Sequence, residues 1–131
     1  MPIDATQPYD DDNVFARILR GEIPNRTVWE TEHTLAFRDI APKAPDHVLV
    51  IPKGPYVTYD HFCAEASDAE IVDFTRTVAA VVKLIGAEAH GGGKGFRAIT
   101  NAGENGVQEV PHFHLHLLGG RPMGAMPTRR Q

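Results

Sequence analysis

A chain of 131 residues with 42% apolar and 23% charged side chains has the composition of one ordinary globular domain. Thirteen basic against seventeen acidic residues give a net charge of −4 with histidine neutral, and there is no basic stripe of the kind that nucleic-acid-binding proteins use. No apolar stretch is long enough to cross a bilayer, and the single cysteine excludes an internal disulfide. We therefore expect a cytoplasmic protein without nucleic-acid or membrane partners.

The first predicted helix follows an acidic N-terminal arm, residues 1–12, which we expect to be mobile. Asn13, or one of the two aspartates before it, provides a cap for apolar side chains that recur at helical spacing over 14–19. Gly21 is the predicted stop of this helix.

Three β-strands are predicted next. Residues 26–30 and 34–39 are rich in β-branched and aromatic side chains and flank a turn at Glu32-His33, which indicates a hairpin. Residues 46–51 contain the apolar run Val48 to Ile51 and are closed by Pro52, which is typical of a buried strand.

A long helix is predicted after Ser67. Ser67 and Glu70 have the spacing of a capping box, an apolar face repeats up to Ile85, and Gly86 is the stop signal. The glycine-rich segment 91–95 lacks the spacing of a phosphate-binding Walker loop, so we interpret it as a turn. A further strand over 95–100 and a loop over 101–107 complete the pattern before the C-terminal segment.

That C-terminal segment carries three histidines separated by single apolar residues. Successive side chains of a β-strand point to opposite faces, so the histidines share one face and the apolar residues share the other. The two sets are His112, His114 and His116, and Phe113, Leu115 and Leu117. We expect the second face to join the core and the first to perform chemistry.

Two chemical interpretations of the histidines compete with a purely structural one. Alternating histidines can bind zinc, or they can form an anion site in which one imidazole attacks phosphorus while others donate hydrogen bonds. Alternate Cα atoms of a strand lie about 6.6 Å apart, which makes a tight tetrahedral cluster harder for three histidines than for two. The spacing therefore favours the anion site.

The sequence His112-Phe-His114-Leu-His116-Leu-Leu resembles the motif of the histidine triad (HIT) family. Other segments are similar to the Hint branch of that family, and the resemblance covers nearly everything from Val14 to Pro122. These segments are Phe15 to Pro24, Ala36 to Pro42, Ala44 to Lys53, Asn101, and Leu118 to Pro122.

The resemblance implies an α+β, HIT-like fold with a five-stranded antiparallel sheet and two main helices. The domain would span residues 13–122, followed by a tail over 123–131, and two copies would pair into a homodimer with a continuous sheet. The tail lacks the tryptophan-bearing end of some relatives.

The resemblance also implies an activity on purine nucleotides such as AMP and GMP. The P–N bond of a purine nucleoside 5′-phosphoramidate would be cleaved through a nucleotidyl-histidine intermediate on His114, with His112, His116 and His47 around the phosphate. No cofactor or metal is implied. A neutral imidazole, with an ordinary pKa of about 6.5, is available for such an attack at neutral pH.

A nucleoside pocket follows from the same resemblance. Asp39 would accept hydrogen bonds from the ribose hydroxyls, and the remaining pocket residues would contact the base or the phosphate. The base-side residues are Val14, Phe15, Ile18, Phe37 and Ile40, and the phosphate-side residues are Asn101, Gln108, Glu109 and Val110. Glu109 stands where some relatives have a serine, so only its backbone role carries over.

Other functions stay open at this point. The protein could be a dinucleoside polyphosphate hydrolase of the same family. It could also be a zinc-binding protein with His112, His114, His116 and His47 as ligands, or a nucleotide-binding adaptor.

Overall fold

The computed structural model describes residues 2–127, which form three helices and five strands. In chain order these are α1 (Val14–Leu19), β1 (Thr27–Glu30), β2 (Thr34–Arg38), β3 (Asp46–Pro52), α2 (Tyr59–Glu65), α3 (Asp68–Leu84), β4 (Phe96–Ile99) and β5 (Leu115–Gly119). None of the helices in this part of the chain has the length and apolarity to span a membrane. Residue 1 of the predicted arm and residues 128–131 of the predicted tail lie outside the described residues.

The strands form one antiparallel sheet in the order β1-β2-β3-β5-β4. The predicted hairpin pairs β1 with β2, and β3 then lies beside β2 with Thr34 opposite Pro52. Strand β5 lies between β3 and β4 inside the sheet, and β1 and β4 form its two edges. The five-stranded antiparallel sheet and the α+β class are confirmed.

The two faces of the sheet carry separate apolar cores. Helix α3 covers one face, where Val48, Val50 and Leu117 are buried with Phe113. The opposite face is covered by α1 and has a smaller core built from Phe15, Leu35, Phe37, Leu49 and Ile51. Alternation along each strand produces this division, because neighbouring residues point to opposite faces.

Capping residues fix the ends of the two predicted helices. The Asn13 side chain accepts a hydrogen bond from the Ala16 N–H at the start of α1, and the Ser67–Glu70 capping box is present at the start of α3. Gly86 follows the C-cap of α3 with φ of +74°, a left-handed conformation that glycine adopts readily. Helix α2, capped by Thr58, was not predicted.

The histidine segment differs in one respect from the prediction. Regular strand pairing begins at Leu115, so His116 lies in β5 whereas His112 and His114 precede it. The alternation of faces still holds, since Phe113 packs beneath α3 while His114 contacts Phe15 of α1.

Candidate active site

Two neighbouring strands place His47 and His116 side by side on the α1 face. In the β3–β5 register, His47 lies opposite Leu118 and Leu49 lies opposite His116, so the two histidines are diagonal neighbours. Their ring centroids are 5.1 Å apart, and His47 Nε2 lies 2.9 Å from His116 Nδ1. The sheet register thus joins two histidines that are far apart in the sequence.

The hydrogen-bond partners determine which nitrogens of this pair carry protons. The Lys43 backbone N–H can only donate, and it donates to His47 Nδ1 over 3.1 Å. Neutral His47 therefore carries its proton on Nε2 and donates it to His116 Nδ1. In neutral His116 the remaining proton is then on Nε2, as a donor for a bound anion.

His114 is oriented by its own backbone segment. Its Nδ1–H donates to the carbonyl oxygen of His112 over 2.7 Å, so the lone pair of neutral His114 is on Nε2. No protein group within residues 2–127 forms a hydrogen bond with that Nε2. The hydroxyl of Thr100 donates to the His114 carbonyl over 2.9 Å, and Phe15 meets the ring edge-on at 4.9 Å. The arrangement presents an unprotonated nitrogen, the form in which imidazole is a nucleophile.

His112 has a different setting from the other three histidines. The residue is 0% exposed, and both ring nitrogens have protein partners. Its Nε2 lies 2.8 Å from the Pro52 carbonyl oxygen, and its Nδ1 lies 2.6 Å from the Tyr9 hydroxyl. The resemblance implied that His112 borders the phosphate, but here no ring nitrogen is left for a phosphate. Its contribution to the site is the carbonyl that holds His114.

Burial lowers the pKa of all four histidines below the ordinary imidazole value. For His112 and His116 the pKa falls to about 4, mainly because of burial and in part because of nearby His114. The Asp39 carboxylate opposes the effect of burial on the pKa of His47 and of His114. All four rings are therefore neutral at pH 7, as nucleophilic attack by His114 requires.

The lowered pKa of His112 predicts a loss of stability in mild acid. The unfolded chain takes up the proton near its ordinary pKa of about 6.5, whereas the folded protein resists protonation until about pH 4. The contribution of His112 to the free energy of unfolding is therefore fully present above about pH 6.5 and is lost as the pH falls towards about 4. Between about pH 7.5 and pH 5 we expect His112 to account for a decrease of about 2 kcal/mol in the free energy of unfolding.

Urea unfolding at both pH values measures this decrease. His112→Gln retains a donor and an acceptor but cannot titrate, so its decrease should be smaller by about that amount. His90→Asn is the control variant at an exposed position, and its free energy of unfolding should stay close to that of the wild type. Equal pH dependence in wild type and His112→Gln would contradict the assignment.

Asp39 lies at the end of β2 beside the histidine pair. One carboxylate oxygen accepts the Ala41 N–H over 2.8 Å, and the other lies 3.5 Å from His47 Nε2. Asp39, His47 and His116 each offer a ligand atom, and these atoms lie within 4.8 Å of one another. This group could hold a metal ion, and it differs from the set of four histidines that the sequence suggested as zinc ligands.

The expected base-side residues separate into a buried and an exposed group. Phe15 and Phe37 are buried with their rings edge-to-face at 5.7 Å, and Ile18 packs partly buried against them. Val14 is 40% exposed, and Ile40 is 97% exposed just beyond Asp39. The described residues thus provide an apolar wall next to His114 with an open outer edge.

The loop before the histidines contains the expected phosphate-side residues. The Gln108 side chain is buried, where its amide donates to the Val57 and Val110 carbonyls and accepts the Gly103 N–H. Asn101 is half-buried, and Val110 packs against the core on the α1 face. Glu109, between Gln108 and Val110, is exposed. In this structure the Gln108 side chain therefore supports the loop from inside.

The sequence analysis missed four groups that orient the histidines: Tyr9, the Lys43 backbone N–H, the Pro52 carbonyl and Thr100. Only Pro52 lies in a segment that carries the family resemblance, and both Tyr9 and Pro52 contact a histidine more than fifty residues away. The position of Thr100 at the end of a predicted strand was the only local signal.

Comparisons with known proteins agree with this architecture. The HIT domain family matches residues 20–123. The chain is 54% identical over 121 residues to an uncharacterized 13.2 kDa HIT-like protein of Azospirillum brasilense, covering 92% of this chain and 96% of that protein. It is 40% identical over 117 residues to the purine nucleoside phosphoramidase of Escherichia coli (strain K12), covering 88% of this chain and 93% of that enzyme.

A solved structure shares the fold. The histidine triad protein from Clostridium difficile superposes with a TM-score of 0.76 at 34% identity, over 90% of this chain and 98% of that one. Matches of this length and identity show that the chain belongs to the HIT domain family of nucleotide hydrolases and transferases.

Proposed function

We propose that this protein cleaves the P–N bond of purine nucleoside 5′-phosphoramidates through a nucleotidyl intermediate on His114. The observation that carries the proposal is the hydrogen bond from His114 Nδ1 to the His112 carbonyl, which leaves Nε2 as an oriented nucleophile. The similarity to a purine nucleoside phosphoramidase supports the choice of substrate.

In the first step, His114 Nε2 attacks the phosphorus atom. A bond forms between phosphorus and Nε2 while the bond to the amine breaks, and the departing nitrogen keeps the electron pair and takes up a proton from solvent, which the attacking water gives back in the second step. The Nε2–H of His116 is available to donate to a non-bridging oxygen. Buried, oriented donors of this kind stabilise the charge that develops in the transition state.

In the second step, water attacks the phosphorus atom of the nucleotidyl-histidine. The P–N bond to His114 breaks, its electron pair returns to Nε2, and the nucleoside monophosphate is released with a hydroxyl oxygen from water. The neutral state of His114, set by burial, restores the nucleophile for another cycle. The scheme requires no metal ion.

The nucleoside would lie along the α1 face. We assign the base to the wall of Phe15, Phe37 and Ile18, with Val14 and Ile40 at its open edge. The Asp39 oxygen that does not accept the Ala41 N–H would accept a hydrogen bond from a ribose hydroxyl. On the phosphate side we assign Asn101, Gln108 and the backbone N–H groups of Glu109 and Val110, with Gln108 acting through the loop that it supports.

The direct test is release of AMP from an adenosine 5′-phosphoramidate in the presence of a chelator. We expect AMP and free amine in equal amounts, and likewise GMP from the guanosine compound. A dinucleoside polyphosphate in a parallel reaction tests the other hydrolase of the family. Faster cleavage of that compound, or no cleavage of either, would contradict the proposal.

Metal binding is a second candidate function, favoured by the placement of Asp39, His47 and His116. Zinc would have to replace the hydrogen bond between the two histidines, which is 2.9 Å long. Calorimetric titration with zinc tests it, with Asp39→Asn as the variant that removes the carboxylate ligand. Micromolar binding that Asp39→Asn weakens, together with activity only after zinc is restored, would favour the metal over the metal-free scheme.

We also propose a homodimer formed along β4. This strand is one of the two edges of the sheet, and Phe96 on it is 41% exposed. Next to it lies an apolar groove of about 470 Å³, lined in part by Tyr59, Ile71 and Val78. Light scattering after gel filtration measures the mass of the protein in solution.

We place the protein in the cytoplasm, where an exposed free thiol such as Cys63 persists.

A further inference from the structure

Tyr9 of the N-terminal arm contacts the histidine site directly. Its hydroxyl oxygen lies 2.6 Å from His112 Nδ1, and the two rings meet edge-on with centroids 5.6 Å apart. The arm is also attached on both sides of Tyr9. The Ile3 N–H donates to the Gln108 carbonyl over 2.7 Å, and Arg20 donates to the Asp11 carbonyl over 2.8 Å.

The partners of His112 allow only one arrangement of protons on the neutral ring. The Pro52 carbonyl can only accept, so His112 Nε2 carries the proton and donates it over 2.8 Å. His112 Nδ1 then has the lone pair, and the Tyr9 hydroxyl must be the donor to it. Tyr9 and Pro52 together hold the ring from opposite sides and fix its tautomer.

The backbone at His112 in turn determines the position of His114. The His112 carbonyl accepts the proton of His114 Nδ1, and the next N–H, of Phe113, donates to the Tyr56 carbonyl over 2.7 Å. A rotation of the His112 ring would disturb the carbonyl that orients the nucleophile. A buried imidazole nitrogen that lost its partner would favour such a rotation, because an unpaired buried polar atom is destabilising.

We propose that Tyr9 is a positioning residue for nucleotidyl transfer, which acts by fixing the ring of His112 and thereby the carbonyl that orients His114. The part of this inference that concerns transfer rests on the proposed function. The part that concerns His112 rests on the hydrogen bonds alone. The burial of His112, which keeps its pKa at about 4, agrees with a neutral ring that accepts from Tyr9.

Tyr9→Phe tests the inference, since it removes the hydroxyl and keeps the ring. Thr6→Val is the control on the same arm, because it removes an exposed hydroxyl that donates to the Asp4 carboxylate over 2.6 Å and does not contact the histidines. For Tyr9→Phe we expect kcat to fall about tenfold, the size of effect that one buried hydrogen bond produces, with KM changed less than about twofold. Thr6→Val should leave both constants near the wild-type values.

Nitrogen-15 NMR of the histidine rings gives a second measurement that does not depend on activity. In the wild type, the His112 signals should show a protonated Nε2 and a hydrogen-bonded, unprotonated Nδ1. In Tyr9→Phe the Nδ1 signal should move towards that of an imidazole nitrogen without a donor, and in Thr6→Val it should not move.

The outcomes separate this inference from the proposed function. An unchanged Nδ1 signal in Tyr9→Phe would overturn the role of Tyr9 at His112. A changed signal with wild-type kcat would overturn its role in transfer. If the wild-type protein cleaves no phosphoramidate, the proposed function fails, and the NMR comparison still decides whether Tyr9 fixes His112.

Discussion

His114→Ala is expected to lower the rate of AMP release from an adenosine 5′-phosphoramidate by at least about 10³-fold, because it removes the nucleophile. The other three imidazoles of the site have no free lone pair with which to attack. His112 has both nitrogens bonded to protein groups, and His47 and His116 are bonded to each other. The measurement is initial-rate kinetics at saturating substrate, with the chelator present. His90→Ala, which removes an exposed histidine, is the matched control and should have the wild-type rate.

A chemical readout distinguishes loss of the nucleophile from loss of the fold. When wild type is quenched in base during turnover, the peptide that carries His114 should be heavier by one nucleotidyl group, and the mutant peptide should not. The thermal midpoint of His114→Ala shows whether the fold persists. Activity of the mutant within tenfold of wild type would exclude His114 as the nucleophile, as would a nucleotidyl group on another histidine.

Phe113→Ala is expected to lower the free energy of unfolding by about 3 to 5 kcal/mol, the range for truncating a buried phenylalanine. Phe113 is 1% exposed, and its ring centroid lies 5.1 to 5.2 Å from those of Tyr59, Phe62 and Phe74. The substitution would leave a cavity beneath α3. Because Phe113 lies between two histidines, the same cavity should also loosen the segment that orients His114.

Urea unfolding at pH 7 measures the change in stability. Phe113→Leu, which retains most of the apolar volume, should lose far less, about 1 kcal/mol. Ile40→Ala removes a side chain that is 97% exposed and should stay within about 0.5 kcal/mol of wild type. A loss below about 1 kcal/mol for Phe113→Ala would show that this ring does not anchor the segment to the α3 core.

The elements that the sequence predicted well are those whose signals lie within a few residues. Asn13 caps α1, and Ser67 with Glu70 caps α3, because a cap bonds to an N–H two or three positions away. The alternation of histidines and apolar residues after Val110 predicted which side chains join the core. Helix α2 was not predicted because Phe62 is the one residue of its seven that is buried, so the sequence shows no periodic apolar face there.

The local sequence pattern did not distinguish the hydrogen bonding of the individual histidines. In the sequence His112 and His114 are equivalent members of one row, yet one ring is bonded at both nitrogens and the other has a free Nε2. The difference arises from Tyr9 and Pro52, which come from distant parts of the chain. No periodicity or local spacing records such contacts.

The sequence by itself therefore determined the first four strands, the capped helices α1 and α3 and the face on which the histidines lie, since each depends on side-chain alternation or on bonds between near neighbours. Only the tertiary structure decided which nitrogen of each ring is protonated. That choice depends on donors and acceptors brought together by the sheet register, as with His47 beside His116, and by the docking of the arm, as with Tyr9.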